Sequence, residues 1–243
     1  MINFQLRGNP VIFQTMNTVI ELDRARHAVP QLYELLRTRI VSLELEPGAS
    51  LSRPQLSAEF SISQTPVREA LLKLAEERLV DVFPQSATRV SLVDVAHAQE
   101  THFLRRAVEL ELVRDLAIKR PAALLDHLDG LLARQAALRD AGDYGGFTEA
   151  DQAFHHCMYE AEGKDDLWAL VRSRSGHIDR LRRLHLPAAG KLNRIIADHT
   201  RIVAAMKAGD VAAAQDALRV HLSGTLEYVD TIRQAHPGYF KTR

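Results

Sequence analysis

Proline fits an α-helix only in its first turn, where a missing N–H breaks no ladder bond. Pro66, inside Ser63-Gln64-Thr65-Pro66-Val67-Arg68-Glu69-Ala70-Leu71, therefore fixes where one helix of this chain must begin. Ser63 and Thr65, just before it, are residue types that cap free N–H groups. Val67, Ala70, Leu71 and Leu74 then recur at i, i+3, i+4 and i+7 and form one apolar stripe. Gln64 and Arg68, four residues apart, share the opposite face. A capped helix with two long polar side chains outward is suited to reading the major groove of DNA.

The flanking segments extend this to a winged helix-turn-helix. A first helix is predicted over Pro30–Leu45, with Leu32, Leu35, Leu36 and Ile40 inward and Arg37 and Arg39 exposed. Glu46-Pro47-Gly48 would end it. Arg53–Phe60 reads as a short second helix and Ser61-Ile62-Ser63 as the turn. After Leu79 the apolar period changes to two. Val80, Val82 and Val90 flank Phe83-Pro84-Gln85-Ser86-Ala87-Thr88-Arg89, which predicts a β-hairpin wing.

Residues from about Leu32 to Val90 resemble the N-terminal domain of GntR-type transcription regulators, whose motif runs close to Ser-x-Thr-Pro-Val-Arg-Glu-Ala-Leu. The resemblance implies that Arg68 and Gln64 read bases, while Arg53, Thr65, Thr88 and Arg89 hold phosphates and set register on double-stranded DNA. It also implies a homodimer on a two-fold operator. Three positions depart from the family pattern. Gln64 stands where members usually carry a guanine-reading Arg. Phe60-Ser61 and Arg78 stand where they usually carry Gly in the turn and before the wing. Gln pairs bidentately with adenine, so Gln64 is expected to shift base preference toward adenine; selection of binding sites that still returned guanine opposite Gln64 would overturn this.

The rest of the chain bounds the partners. Thirty-one Lys and Arg balance 31 Asp and Glu, and residues 30–92 carry seven basic against eight acidic side chains. That argues against a non-specific nucleic-acid binder and leaves room for a few placed arginines. One cysteine rules out an internal disulfide and suits a reducing cytoplasm. No apolar run approaches membrane-spanning length, and the N-terminus has no signal-peptide pattern. Residues 1–29 are unpatterned and read as a flexible arm in which Met16 could be the natural start. Residues 30–91 are then the DNA-binding domain and residues 92–236 a helical domain.

From Ser91 onward no strand-like alternation occurs. Breaks at Arg120-Pro121, Ala141-Gly142-Asp143, Glu162-Gly163-Lys164, Leu186-Pro187 and Ala208-Gly209-Asp210 leave about six amphipathic helices, with Asp143 and Asp210 as N-caps. The predicted fold is mainly α: a winged helix-turn-helix followed by an antiparallel all-α bundle.

One constellation in this bundle carries chemistry. Asp151 and His155 lie i, i+4 on one helix and can bite a single ion. His199 and His221 fall on the last two helices, either side of the Gly209-Asp210 turn. Three imidazoles and a carboxylate suit zinc, nickel, manganese or iron, not calcium. With eleven histidines in the chain, structural roles for some of these four stay open on spacing alone.

Asp151-x-x-Phe154-His155, Asp198-His199-x-x-Ile202, Gly209-Asp210 and Arg219-Val220-His221-Leu222 resemble the FCD ligand-binding domain of many GntR-type regulators, over roughly residues 93–230. The resemblance implies that Asp151, His155, His199 and His221 hold a divalent metal, zinc first among the four, and that a small organic acid completes its shell. Lys164 departs from the family's usual Asn without touching these residues. Arg105 matches a family position facing the pocket; the alternative is a surface i, i+4 pair with Glu109. Residues 172–201 carry eight basic against two acidic side chains, from which Arg172, Arg174 or His177 could meet an anion. Cys157 reads as a core residue.

The function so implied is a transcription regulator, a repressor by family precedent, released by a small carboxylate bound at the metal. A metal-dependent all-helical hydrolase fused to a DNA-binding domain is the competing class. It lacks its signals: no histidine is followed by Asp, and no His-Glu-x-x-His helix is present. A purely structural metal is the third reading.

Overall fold

The computed structural model describes residues 22–23, 25–83 and 87–242. Most of the predicted N-terminal arm, Met16 included, lies outside them, as do Pro84, Gln85 and Ser86 of the predicted wing. The chain is mainly α, a winged helix-turn-helix followed by a helical bundle.

Three helices and a hairpin make the N-terminal unit: α1 (Ala28–Val41), α2 (Arg53–Glu59), α3 (Gln64–Glu76), β1 (Val80–Val82) and β2 (Thr88–Val90). Leu32, Leu36 and Ile40 of α1 meet Val67, Ala70, Leu71 and Leu74 of α3 in one apolar core closed by Leu56, Leu79 and Val90. Each such leucine contributes about 1.5–3 kcal/mol on burial. The helix α1 starts two residues inside the predicted arm. It stops at Val41 rather than Leu45, because Leu43 takes a left-handed φ of 67° and turns the chain out. Ser52 caps α2 by accepting from the Gln55 N–H, and Pro54 sits in the first turn. Ser63 occupies the N-cap position of α3 with extended backbone, but its side chain makes no capping bond. The hairpin pairs Val80 with Val90 and Val82 with Thr88.

Arg37 corrects the sequence reading. Expected on the exposed face of α1, it is buried at 6% exposure. Its Nε donates to Glu77 Oε2 at 2.9 Å and its guanidinium to the Arg172 carbonyl at 2.7 Å, which compensates the charge for its loss of water.

Every predicted break in the C-terminal part is a real one. It contains α4 (Val95–Lys119), α5 (Ala122–Asp140), α6 (Tyr144–Ala161), α7 (Asp165–Arg174), α8 (Gly176–His185), α9 (Lys191–Ala208), α10 (Val211–Ser223) and α11 (Val229–Ala235). Asp143 and Asp210 cap α6 and α10 as expected, by accepting from Gly146 and Ala213 N–H groups; Asp94 does the same for α4. The six predicted helices become eight. The chain turns at Ser175, which divides α7 from α8, and a 3-10 turn at Leu226–Tyr228 separates α10 from α11. Only the single Gly176 marks the first of these breaks in the sequence. Helices α4, α5, α6, α9 and α10 enclose the main core, built on Val113, Leu116, Leu128, Phe154, Met158, Ile202, Met206 and Leu218. Gly209, at φ 72°, makes the tight turn that sets α9 and α10 antiparallel.

Helix α8 joins the two parts. A side chain at Gly176 would stand 2.4 Å from Leu79 Cδ2, so α8 approaches the end of the N-terminal unit as closely as a glycine allows. Arg180, fully buried, donates to the Ser91 carbonyl at 2.6 Å and meets His177 Nδ1 at 2.9 Å. The Asp94 N–H donates to the same nitrogen at 3.0 Å. The C-terminal tail adds a parallel bridge, Val93 to Phe240, across the connection between β2 and α4.

Candidate metal centre and nucleic-acid interface

Asp151 and His155 project from α6, His199 from α9 and His221 from α10, and one ligand atom from each lies within 4.8 Å of the others. Nε2 of His221 is 3.1 Å from Nε2 of His155 and 3.2 Å from Nε2 of His199. Nε2 of His199 is 3.6 Å from Asp151 Oδ1. Two nitrogens bound to one ion at about 2.1 Å each lie roughly 3–3.4 Å apart, so this spacing fits a shared divalent cation.

Two residues not assigned to the site from the sequence stand behind two of the rings. Glu109 Oε2 of α4 lies 2.9 Å from His155 Nδ1, and Gln135 Oε1 of α5 lies 2.9 Å from His199 Nδ1. A proton on Nδ1, facing that acceptor oxygen, is the tautomer that leaves a ring's Nε2 lone pair free for an ion, and both Nε2 atoms lie at the common point. Three ring nitrogens and a carboxylate oxygen converging on one point are the arrangement that a shared cation satisfies. The signal for both partners was present in the sequence. Gln135 interrupts the apolar row Leu124, Leu128, Leu131 of α5, and Glu109 lies one turn before Leu112 and Val113 on the inner face of α4.

The electrostatics agree. Burial pushes His199 down to about 3, and burial with the two neighbouring imidazoles holds His221 well below the usual histidine range. Burial works against ionisation of Asp151, but His155, His199, Arg182 and Arg105 outweigh it and lower its pKa. Neutral imidazoles beside an ionised carboxylate are the forms in which these groups ligate metal. Phe154 stacks on His199, ring centroids 3.9 Å apart, and holds its plane.

Arg105 makes the i, i+4 contact with Glu109, Nε to Oε1 at 2.5 Å, inside the bundle rather than on its surface. A cavity of about 380 Å³ opens beside the site, lined by Asp151 and His221, by Arg182 and Lys191, and by Arg37 of α1 and Ser42 just after it. Arg105 does not line it. Arg172 does, and Arg174 is exposed. His177 is buried in the joint between the two parts, with a structural role. Cys157 is buried, its thiol pushed up to about 12 by burial, as expected of a core residue.

On the N-terminal unit, Arg53, Gln64, Thr65, Arg68 and Arg89 are exposed. Thr88 departs from its expected phosphate contact. It is 8% exposed, and its carbonyl accepts from the Leu51 N–H within the sheet.

Residues 100–224 match the FCD domain, and residues 29–90 match the bacterial regulatory proteins of the gntR family. The chain belongs to the GntR family. It is 38% identical over 211 residues to an HTH-type transcriptional regulator in an unstable DNA locus of Streptomyces ambofaciens, covering 87% of this chain and 89% of that one. It is 27% identical to the HTH-type transcriptional repressor RspR of Escherichia coli, over 93% and 99%. The fold is shared with the solved structure of E. coli McbR/YncC, at TM-score 0.71 and 23% identity, over 87% of this chain and 99% of that one. The chain is thus a DNA-binding transcription regulator, and its relatives are regulators, not enzymes. Among the described residues no helix is long and apolar enough to cross a membrane.

Proposed function

We propose that this GntR regulator is a homodimeric repressor that binds a two-fold operator and senses a small carboxylate through a divalent metal in its helical bundle. The observation that carries the sensing reading is the convergence of three imidazole Nε2 atoms and Asp151 beside a cavity. Asp151, His155, His199 and His221 would hold the ion, zinc first, then nickel, manganese or iron. A divalent ion there supplies positive charge and open positions for a carboxylate. Glu109 and Gln135 orient two of the rings, and Arg105 keeps Glu109 ionised and in place. Arg68 and Gln64 would read bases, with Arg53, Thr65 and Arg89 on phosphates. The repressor sense rests on RspR and on the gluconate operon repressor of Bacillus subtilis, 38% identical over 107 residues.

Titration calorimetry and binding to a selected DNA site test the division of labour. Chelated protein should take up one divalent ion per chain. His221→Ala should lose that uptake and keep the DNA site, while Arg68→Ala should lose the DNA site and keep the ion. Undiminished metal uptake by His221→Ala would remove the sensing reading.

A further inference from the structure

The cavity beside the four candidate ligands is more cationic than a single carboxylate needs. Its wall carries Arg37, Arg172, Arg182, Arg183 and Lys191 against Glu149, Asp151 and Asp179. Asp151 belongs to the ligand set. Asp179 is shared: Oδ2 meets Arg172 at 3.4 Å and Ser175 Oγ at 2.5 Å, and Oδ1 meets Arg182 at 3.2 Å. Among the described residues Lys191 donates only to the Gly224 carbonyl, at 3.3 Å. Burial followed by Arg194 and Arg182 lowers the pKa of Lys191, and burial followed by Arg105 lowers that of Arg182. Like charges that depress one another in a shared wall are stabilised by an anion placed between them. The volume, about 380 Å³, is at the small end of the roughly 300–1,000 Å³ typical of small-molecule sites.

From this wall we infer that the ligand is a short acid with two anionic ends, one at the Asp151–His155–His199–His221 set and the other, a carboxylate or a phosphate, on Arg182 and Lys191. The inference rests on the acid-sensing reading above and adds the second end. It also ties the ligand to the DNA-reading unit. Arg37, in the same wall, is an α1 residue whose Nε is held by Glu77, the residue that ends α3. An anion drawn to this wall competes with Glu77 and Asp179 for its guanidinium.

The test is thermal melting of the zinc-loaded full chain against concentration of butanoate, succinate, glutarate and phosphoglycolate, each shift being converted to an apparent Kd. At least one doubly anionic acid should bind about tenfold or more tighter than butanoate, since a charge-assisted hydrogen bond is added. Preference for succinate or glutarate assigns a carboxylate to the second end, and preference for phosphoglycolate a phosphate. Lys191→Gln, at a half-buried position, should cut the preference to less than about threefold while the protein still binds one ion. Arg182→Gln provides a second variant should the first fail to fold. Equal affinity of mono- and dianionic acids for the wild-type chain, or a preference unchanged in both variants, would overturn the inference and leave metal-dependent acid binding standing. No shift with any acid, in protein that zinc does stabilise, would remove the acid-sensing reading itself.

Discussion

Ser61 and Arg78 hold φ of 52° and 60°, and they are the two places where the family pattern usually has glycine. A side chain in the left-handed region costs about 1–2 kcal/mol. Glycine there avoids that cost but gives up about 0.5–1 kcal/mol of unfolded-state entropy. Both side chains are exposed, so little packing is lost. We expect Ser61→Gly and Arg78→Gly each to raise stability by about 0.5–1 kcal/mol, read as an increase in urea midpoint at constant slope. A lower midpoint would show that the side chains contribute contacts this account omits. Gln135 is the second residue-scale test. Gln135→Leu keeps the apolar row of α5 and removes the acceptor that fixes the His199 tautomer. Metal affinity should fall about 10–100-fold with the melting temperature of the chelated protein little changed; unchanged affinity would contradict the orienting role. At this scale the meeting of Asp151, His155, His199 and His221 was expected from the family resemblance, and the spacing, two at i, i+4 and two flanking a Gly-Asp turn, allowed it. Glu109 and Gln135 were harder to read, since a polar residue in an apolar row announces burial without naming its partner.

At the scale of elements, starts and stops were legible where proline, glycine or a capping Asp marks them. The break at Ser175 was missed although Gly176 follows it, because a lone glycine is also tolerated inside a helix; packing decides it, with α8 turning to place Gly176 against Leu79 and Arg180 against Ser91. Gly176→Ala tests the packing. Leu79 is fully buried and has nowhere to move, so overpacking should cost about 1–3 kcal/mol and loosen the joint, seen as faster hydrogen exchange at Ser91 and Val93. Retained protection would mean that the two parts are not held through α8. His177 supplies a pH test of the same joint. Burial, then Arg180, pushes its pKa down to about 3, from about 6.5 in the unfolded chain. Between those values the unfolded chain holds a proton that the folded chain does not, so stability is complete above about pH 6.5 and is lost as pH falls toward 3. One group contributes at most about 1.4 kcal/mol per pH unit. His177→Asn keeps an acceptor for Asp94 and Arg180 and removes the titration. Its stability should fall less steeply with acid than that of the wild type, and identical slopes would contradict a neutral His177.

For the whole molecule, the order of helices, hairpin and helices made the architecture readable, because each unit carries its own periodicity and punctuation. How the units are joined was not readable. Arg37 finds the Arg172 carbonyl 135 residues away, and a sequence pattern that expects an arginine on an outer helix face has no access to that contact. The joint is nevertheless a path from the bundle to α3: the cavity wall includes Arg37, Arg37 is held by Glu77, and Glu77 is the C-cap of α3. An acid bound beside Asp151 and His221 can alter operator affinity only by favouring one arrangement of that joint over another, a coupling of typically about 1–3 kcal/mol. The measurement that tests this most directly is the affinity of the full chain for a selected operator, with and without a stabilising acid, in metal-loaded wild type, in chelated wild type and in His221→Ala. The account requires the acid to change operator affinity by about 5–150-fold in the loaded wild type and to have no effect in the other two. An acid effect that persists after chelation or in His221→Ala would contradict it.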